Sequence, residues 1–291
     1  MSRIEDVLPL SSLQQGMLFH ALFDERAVDV HTVQTVLDLD GELDAGRLRA
    51  AAEALVARHA VLRAAFVHDT GAPVAVVLRE VAVPWTEHDL TGLAEPAREA
   101  EVDRLLAADR VARFAMQEPP LVRFLLLRTG PRRHRLVVSN HHIVLDGWSM
   151  PLLVRDLLDR YAGRQPTPVR PYRDYLAWLG EQDRAAGAAL WAAALADPPA
   201  PTLVAPAEAA LSAALPARVE VPVRAPGAIT TLARATGVTA NTVLQAAWGL
   251  VLARGLGRDD VLFGATVSGR PANLPGVEEM VGLFVNTVPV R

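Results

Sequence analysis

Cysteine is absent from the 291 residues, which excludes disulfides, thiolate metal sites and thiol nucleophiles together and fits a reducing, cytoplasmic compartment. Lysine is absent as well, so all 29 basic residues are arginine. Together with abundant alanine this reads as the coding bias of a GC-rich genome and carries no functional weight. Positive charge is in short supply, with 33 Asp and Glu against those 29 and a formal net charge of −4. Such a chain offers no basic field to a phosphate backbone, so no nucleic-acid partner is expected. Long hydrophobic runs are also lacking. Phe124 to Leu127 is short and Val243 to Ala253 is interrupted by Gln245, whereas a bilayer span needs about 20 apolar residues; no membrane association is expected. Glu5 and Asp6 stand where a signal peptide would carry a basic start and a long apolar run, so secretion is not indicated.

What the sequence does have is core material. Hydrophobic residues make up 51% and charged residues only 21%, a globular composition, and the length suggests about two units at roughly 150 residues each. Apolar spacing alternates between helical and strand periods, giving a mixed α/β class with no repeat at a fixed interval. Asp44 is placed to cap a helix carrying Leu48, Ala51, Ala52, Leu55 and Val56 and ending near His59. Strands are predicted at Thr32 to Leu39, Val61 to Phe66 and Pro73 to Leu78, and a hairpin pairs Leu121 to Leu127 with Arg135 to Ser139 around Gly130-Pro131. Helices are predicted over Pro96 to Phe114, over Met150 to Ala162, and from Tyr172 through Leu179. Proline-rich Gly163 to Pro171 and Asp197 to Pro216 read as connections. Beyond them come a strand near Ala217 to Val223, helices near Ala228 to Ala235 and after Thr239, an extended run Val261 to Val267, and an apolar segment Val281 to Val290 that reads as a buried strand.

Chemistry concentrates in Asn140-His141-His142-Ile143-Val144-Leu145-Asp146-Gly147-Trp148-Ser149, between a strand and a helix. Adjacent histidines in a strand point to opposite faces, so one can face a cavity while the other packs into structure. An imidazole titrating near pH ~6.5 suits proton removal from an attacking amine or alcohol. Asp146 is placed either to orient the imidazole or to anchor the loop on an arginine, and Gly147 permits a special backbone conformation or a close ligand approach. The blander readings are a satisfied core pair of histidines or part of a metal site. The six other histidines, at 20, 31, 59, 68, 88 and 134, read as scattered singly, and no His-x-x-x-His spacing is present. A Gly-x-Ser-x-Gly elbow is missing, and Gly255-Leu256-Gly257 is too little for a nucleotide loop. Arg128, Arg132, Arg133 and Arg135 read as a solvated hairpin tip.

HHIVLDGWS resembles the HHxxxDG motif of the condensation domains of nonribosomal peptide synthetases, within the chloramphenicol acetyltransferase-like superfamily. Four further stretches resemble that family's motifs in its order: PLSSLQQGMLFHAL (Pro9 to Leu22), RHAVLRAAF (Arg58 to Phe66), YRDYLAW (Tyr172 to Trp178) and VGLFVNTVPVR (Val281 to Arg291). Ala60 and Ala64 depart from the glutamate and threonine common in the second motif, away from the chemistry.

The resemblance implies an α/β, two-lobed acyltransferase-like pseudo-dimer, with residues 1–170 as the N-terminal lobe and 171–291 as an incomplete C-terminal one. It implies an acyltransferase of antibiotic and other secondary-metabolite biosynthesis in which His142 is catalytic, joining a donor aminoacyl or peptidyl thioester to an acceptor amine. Both substrates would be held on 4'-phosphopantetheine arms of peptidyl carrier proteins. No cofactor or metal is expected on the domain itself, and an adjacent adenylation domain is an expected partner. His141, Asp146 and Gly147 would complete the motif, Arg270 would pair with Asp146, and Arg63 would be a second structural arginine. Asp146-Gly147-Trp148-Ser149 and Gln14 to His20 look like a member that takes an L-configured donor; heterocyclizing members, which carry aspartates for the two histidines, do not match. Since family members continue past the fifth motif, a fragment of a larger synthetase is expected. Other readings are a noncatalytic carrier-binding scaffold and a stand-alone acyltransferase using acyl coenzyme A.

Overall fold

The structure, a computed structural model, describes residues 3–23, 28–68, 71–205, 219–223 and 225–291. In chain order the elements are β1 (Ile4–Pro9), α1 (Ser12–Phe23), β2 (Thr32–Asp40), α2 (Ala45–Arg58), β3 (Ala64–Val67), β4 (Val74–Leu78), β5 (Trp85–Asp89), α3 (Glu95–Val111), β6 (Val122–Gly130), β7 (Arg133–His141), α4 (Ser149–Tyr161), α5 (Tyr172–Gly180), α6 (Arg184–Ala194), α7 (Pro226–Thr236), α8 (Ala240–Leu256), β8 (Phe263–Val267) and β9 (Asn286–Val290). The class is mixed α/β. Backbone contacts divide the chain into one unit of residues 1–182 and 268–285 and a second of residues 183–267 and 286–291. By contacts α5 falls in the first unit, where Tyr172, Tyr175 and Leu176 are buried.

In the first unit a four-stranded sheet runs β2-β7-β6-β5, antiparallel except for the parallel β5–β6 pair, and a three-stranded antiparallel sheet runs β1-β4-β3. The Gly130-Pro131 hairpin forms as its turn residues predict. Its strands are buried on both faces, which explains the unalternated run Phe124 to Leu127. On one face Val102 and Leu105 of α3 pack with Leu125, Leu127 and Val137; the other face joins the main core with Leu48, Leu55 and Val56 of α2 and Leu153 and Leu157 of α4. Helix α2 begins where Asp44 accepts a hydrogen bond from the Arg47 N–H at 2.9 Å, the cap that leaves one less orphaned donor.

Three sequence expectations are corrected. Val61 to Phe66 is not one strand: Ala60–Arg63 is a 3₁₀ turn and pairing starts at Ala64, because the buried Arg63 must turn inward to reach the Leu78 and Arg79 carbonyls. Val281 to Val290 is also divided. Residues 281–284 are buried in the first unit without strand pairing, and only Asn286–Val290 pairs, with β8. Residues 219–223 form no strand, and residues 217 and 218 of that expected strand lie outside the described residues. The expected connection 197–216 likewise lies partly outside them. Helices α1 and α6 and strands β1 and β5 were not foreseen; β5, reading WTEHD, has no alternation to betray it.

The second unit contains α6, the α7–α8 pair and the β8–β9 ribbon. Gly257 ends α8 in the left-handed conformation with φ +63°, a helix terminus and not a nucleotide loop. At the hairpin tip of the first unit the arginines are met by acids, Arg128 by Asp89 at 3.3 Å and Arg135 by Asp38 at 3.0 Å. Among the described residues no helix is long and apolar enough to cross a membrane.

Candidate active site

Strand β7 delivers the two histidines to different environments. His141, its last residue, is fully buried, while His142 opens a 3₁₀ turn, His142–Val144, and is partly exposed. The His141 Nδ1 accepts from the Ile143 N–H at 3.1 Å, so the proton of the neutral ring sits on Nε2. That nitrogen lies 3.1 Å from Asp29 Oδ2, though neither atom has a well-aligned hydrogen bond. For His142, the backbone N–H donates to the His31 carbonyl at 2.8 Å. Its Nδ1 is buried without a partner among the described residues, so the ring's exposed edge is the one carrying Nε2.

The turn is held from behind. Gln14, buried on α1, donates from Nε2 to the Ile143 carbonyl at 3.1 Å, and its Oε1 accepts from the Ser11 N–H at 3.0 Å. In this way the stretch PLSSLQQG braces the backbone next to His142.

Asp146 anchors the loop and has no contact with either imidazole. Its Oδ1 accepts from the Ser149 N–H at 2.9 Å and lies 2.8 Å from the Ser149 hydroxyl; its Oδ2 accepts from the Phe284 N–H at 3.0 Å. Arg270 Nη2 stands 3.5 Å from Oδ1 and donates to Ser149 Oγ at 3.0 Å. The same guanidinium donates to the Val277 and Met280 carbonyls and lies 3.8 Å over the Phe284 ring. Burial pushes the Arg270 pKa down, against the opposing pull of Asp146. Both charges are almost wholly buried, at 4% and 0% side-chain exposure, so each is expensive without the other.

Residues 282–284 are therefore part of the site's frame. Tyr172 donates from its hydroxyl to the Leu283 carbonyl at 2.6 Å, and a Cβ on Gly282 would lie 2.1 Å from the Tyr172 ring, so only glycine fits against that face. Gly269, with φ +64°, comes so near the Phe284 carbonyl that a Cβ there would lie 1.8 Å from its oxygen. Gly147, by contrast, has no positive φ, and a Cβ on it would meet nothing within 4 Å. No special backbone conformation accounts for that glycine, and it borders open space beside the exposed Trp148. His141, His142, Asp146, Gly147 and Arg270 are thus brought together in the first unit. Arg63 is not with them: it ends the 3₁₀ turn that precedes β3, its guanidinium 2.7 Å from Glu5 Oε2.

Three contributors were missed in the sequence. His20, His31 and His141 form a chain of rings with centroids 6.0 and 5.9 Å apart, so His20 and His31 are not scattered singly. The third is Asp29, beside them. The β2–β7 register, which sets Thr32 opposite His141, creates this grouping, and no local spacing reveals it. Burial pushes the Asp29 carboxyl up, but His141, the His31 N–H and Arg113 outweigh it and hold the pKa at about 2. Burial depresses His31. Among the described residues no three His, Cys, Asp or Glu side chains form a metal-holding set.

His31, His59 and His134 all have pKa values pushed down, first by burial. Each therefore binds fewer protons folded than unfolded, so stability is full above the unfolded value of about 6.5 and is lost as pH falls through the lower folded values. Urea midpoints are expected to fall between pH 7.5 and 5.5, and His59→Gln should reduce that fall; a flat profile would contradict this.

The family profile described as "Condensation domain" matches residues 4–291. A component of the linear gramicidin synthase of Brevibacillus parabrevis is 37% identical over all of this chain, which spans 6% of that protein. Bacitracin synthase 3 of Bacillus licheniformis is 35% identical over all of the chain, which spans 5% of it. Among solved structures, the first condensation domain of the calcium-dependent antibiotic synthetase in complex with a substrate analogue superposes with a TM-score of 0.76 over 99% of this chain and 70% of its own, at 23% identity, and so shares the fold.

Proposed function

The chain belongs to the condensation-domain family of nonribosomal peptide synthetases, and on that premise we propose that it forms an amide bond between a carrier-bound donor thioester and a carrier-bound acceptor amine. The supporting observation is that, of the two motif imidazoles, only His142 is partly exposed, on a turn whose neighbouring backbone is held by buried groups.

The acceptor nitrogen attacks the thioester carbonyl, the C–N bond forms and the C–S bond breaks. His142 hydrogen-bonds to the amine, positions it, and takes its proton late; the proton ends on the departing pantetheine thiol. Holding both reactants in one geometry supplies much of the rate, and the base adds the rest. His141 serves the site as structure, as does the Asp146–Arg270 pair. The open space at Gly147 gives a bulky acyl arm room to pass. An L-configured donor, donor and acceptor carrier proteins and a neighbouring adenylation domain complete the reading, in keeping with the large synthases the chain resembles.

Mixing the protein with one donor-loaded and one acceptor-loaded carrier should yield dipeptidyl thioester on the acceptor, read by mass spectrometry. No product with carrier binding retained would instead support a scaffold. Acylation of a free amine from acyl coenzyme A alone would support a stand-alone acyltransferase.

A further inference from the structure

We infer that Asp29 is a positioning residue for His142, acting through the tautomer of His141 and the backbone of His31; the inference rests on the amide-forming role proposed for His142. One carboxylate faces both routes. Its Oδ1 accepts from the His31 N–H at 2.9 Å, and the Thr32 N–H donates to the Asp29 carbonyl at 3.1 Å, an Asx-type turn that fixes the start of β2. The His31 carbonyl then receives the His142 N–H at 2.8 Å. Its Oδ2 faces His141 Nε2 at 3.1 Å, which favours the proton on that nitrogen and leaves Nδ1 free to accept from the Ile143 N–H.

The backbone N–H groups of residues 142 and 143 flank the Cα–C pair of His142, from which the imidazole projects, and both are thus tied, by separate routes, to Asp29. The carboxylate side chain is 3% exposed, so water does not compete for it. Arg113 supplies balancing positive potential. Metal-ligand histidines are oriented by the same device, in which a carboxylate on the far nitrogen sets ring and tautomer; here the oriented ring carries a backbone turn and not a metal.

Asp29→Asn isolates the effect. The amide matches the carboxylate in shape but has one acceptor, so it can serve the His31 N–H or His141 Nε2–H, not both. The turnover number for dipeptidyl thioester should fall about 10- to 100-fold, with the KM for each carrier within about threefold. In nitrogen-15 NMR, wild-type His141 should show a protonated Nε2 and a bare Nδ1, and in Asp29→Asn a fraction should carry the opposite tautomer. A structural role alone would lower the melting temperature without moving the tautomer or separating kcat from KM. An unchanged turnover number and tautomer in Asp29→Asn would overturn the inference, as would a wild-type His141 protonated on Nδ1, a reading that needs no variant. Failure of the wild type to make product while His141 shows the stated tautomer would overturn the amide-forming role and not the positioning of the turn.

Discussion

Replacing His142 with alanine is expected to slow amide formation by about 10²- to 10⁴-fold, the range over which a positioned general base contributes. The fold should survive, because the ring is at the surface of the site and its Nδ1 has no partner to strand, and carrier binding should survive with it. His142→Gln separates the two tasks assigned to the imidazole. Glutamine can hydrogen-bond to the amine but cannot hold its proton near neutral pH, so a recovery of tenfold or more over alanine would mean that positioning dominates. Initial rates of dipeptidyl thioester formation read the result. A His142→Ala rate within about threefold of wild type would remove the residue from the chemistry.

Asp146→Ala is expected to cost about 3–5 kcal/mol, the penalty for leaving a buried charge unpaired, because Arg270 would keep its guanidinium in the core with only neutral partners. The loss is compounded by the Ser149 and Phe284 N–H groups, which both give up a buried acceptor. Urea unfolding followed by Trp148, which lies against the site through its Nε1–H bond to the Glu278 carbonyl, should show the drop; a change under about 1 kcal/mol would show that the pair is not a structural clamp. Reversing the charges with Asp146→Arg and Arg270→Asp is not expected to restore stability. Position 146 faces two backbone N–H donors and a hydroxyl as well as the guanidinium, and an arginine there would meet donors with donors. Activity in Asp146→Ala should fall in step with the folded fraction, which distinguishes this residue from His142.

How far the sequence anticipates the site depends on whether the controlling contacts are local. The His142 turn, the Asp44 cap and the β6–β7 hairpin are encoded within a few residues of themselves, and their patterns are legible. The Asp146–Arg270 pairing is reached only through resemblance, since nothing about residue 270 in isolation distinguishes it from the other arginines. Asp29 and His31 are invisible for a different reason. They act through β2–β7 register, a long-range property that neither propensity nor spacing specifies. The apolar segment 281–290 misleads because hydrophobicity predicts burial and not pairing: Leu283 and Phe284 are buried to the same degree as strand residues while their backbone bonds go to Tyr172 and Asp146. Gly282 is required by the face of an aromatic ring, a demand that a one-dimensional pattern does not carry.

The first unit is discontinuous in the chain, and this orders events during synthesis. His142 and Asp146 leave the ribosome well before the strip that holds Asp146, which arrives only after the whole of 183–267 has been made. At about 5–20 residues per second, the loop waits on the order of ten seconds with a carboxylate built for a buried arginine still facing water. Early release of a nascent chain in that interval would yield the motif histidines without the strip that clamps their loop, so a chain released before residue 268 should display a protease-sensitive motif loop, and one released beyond residue 285 a protected one.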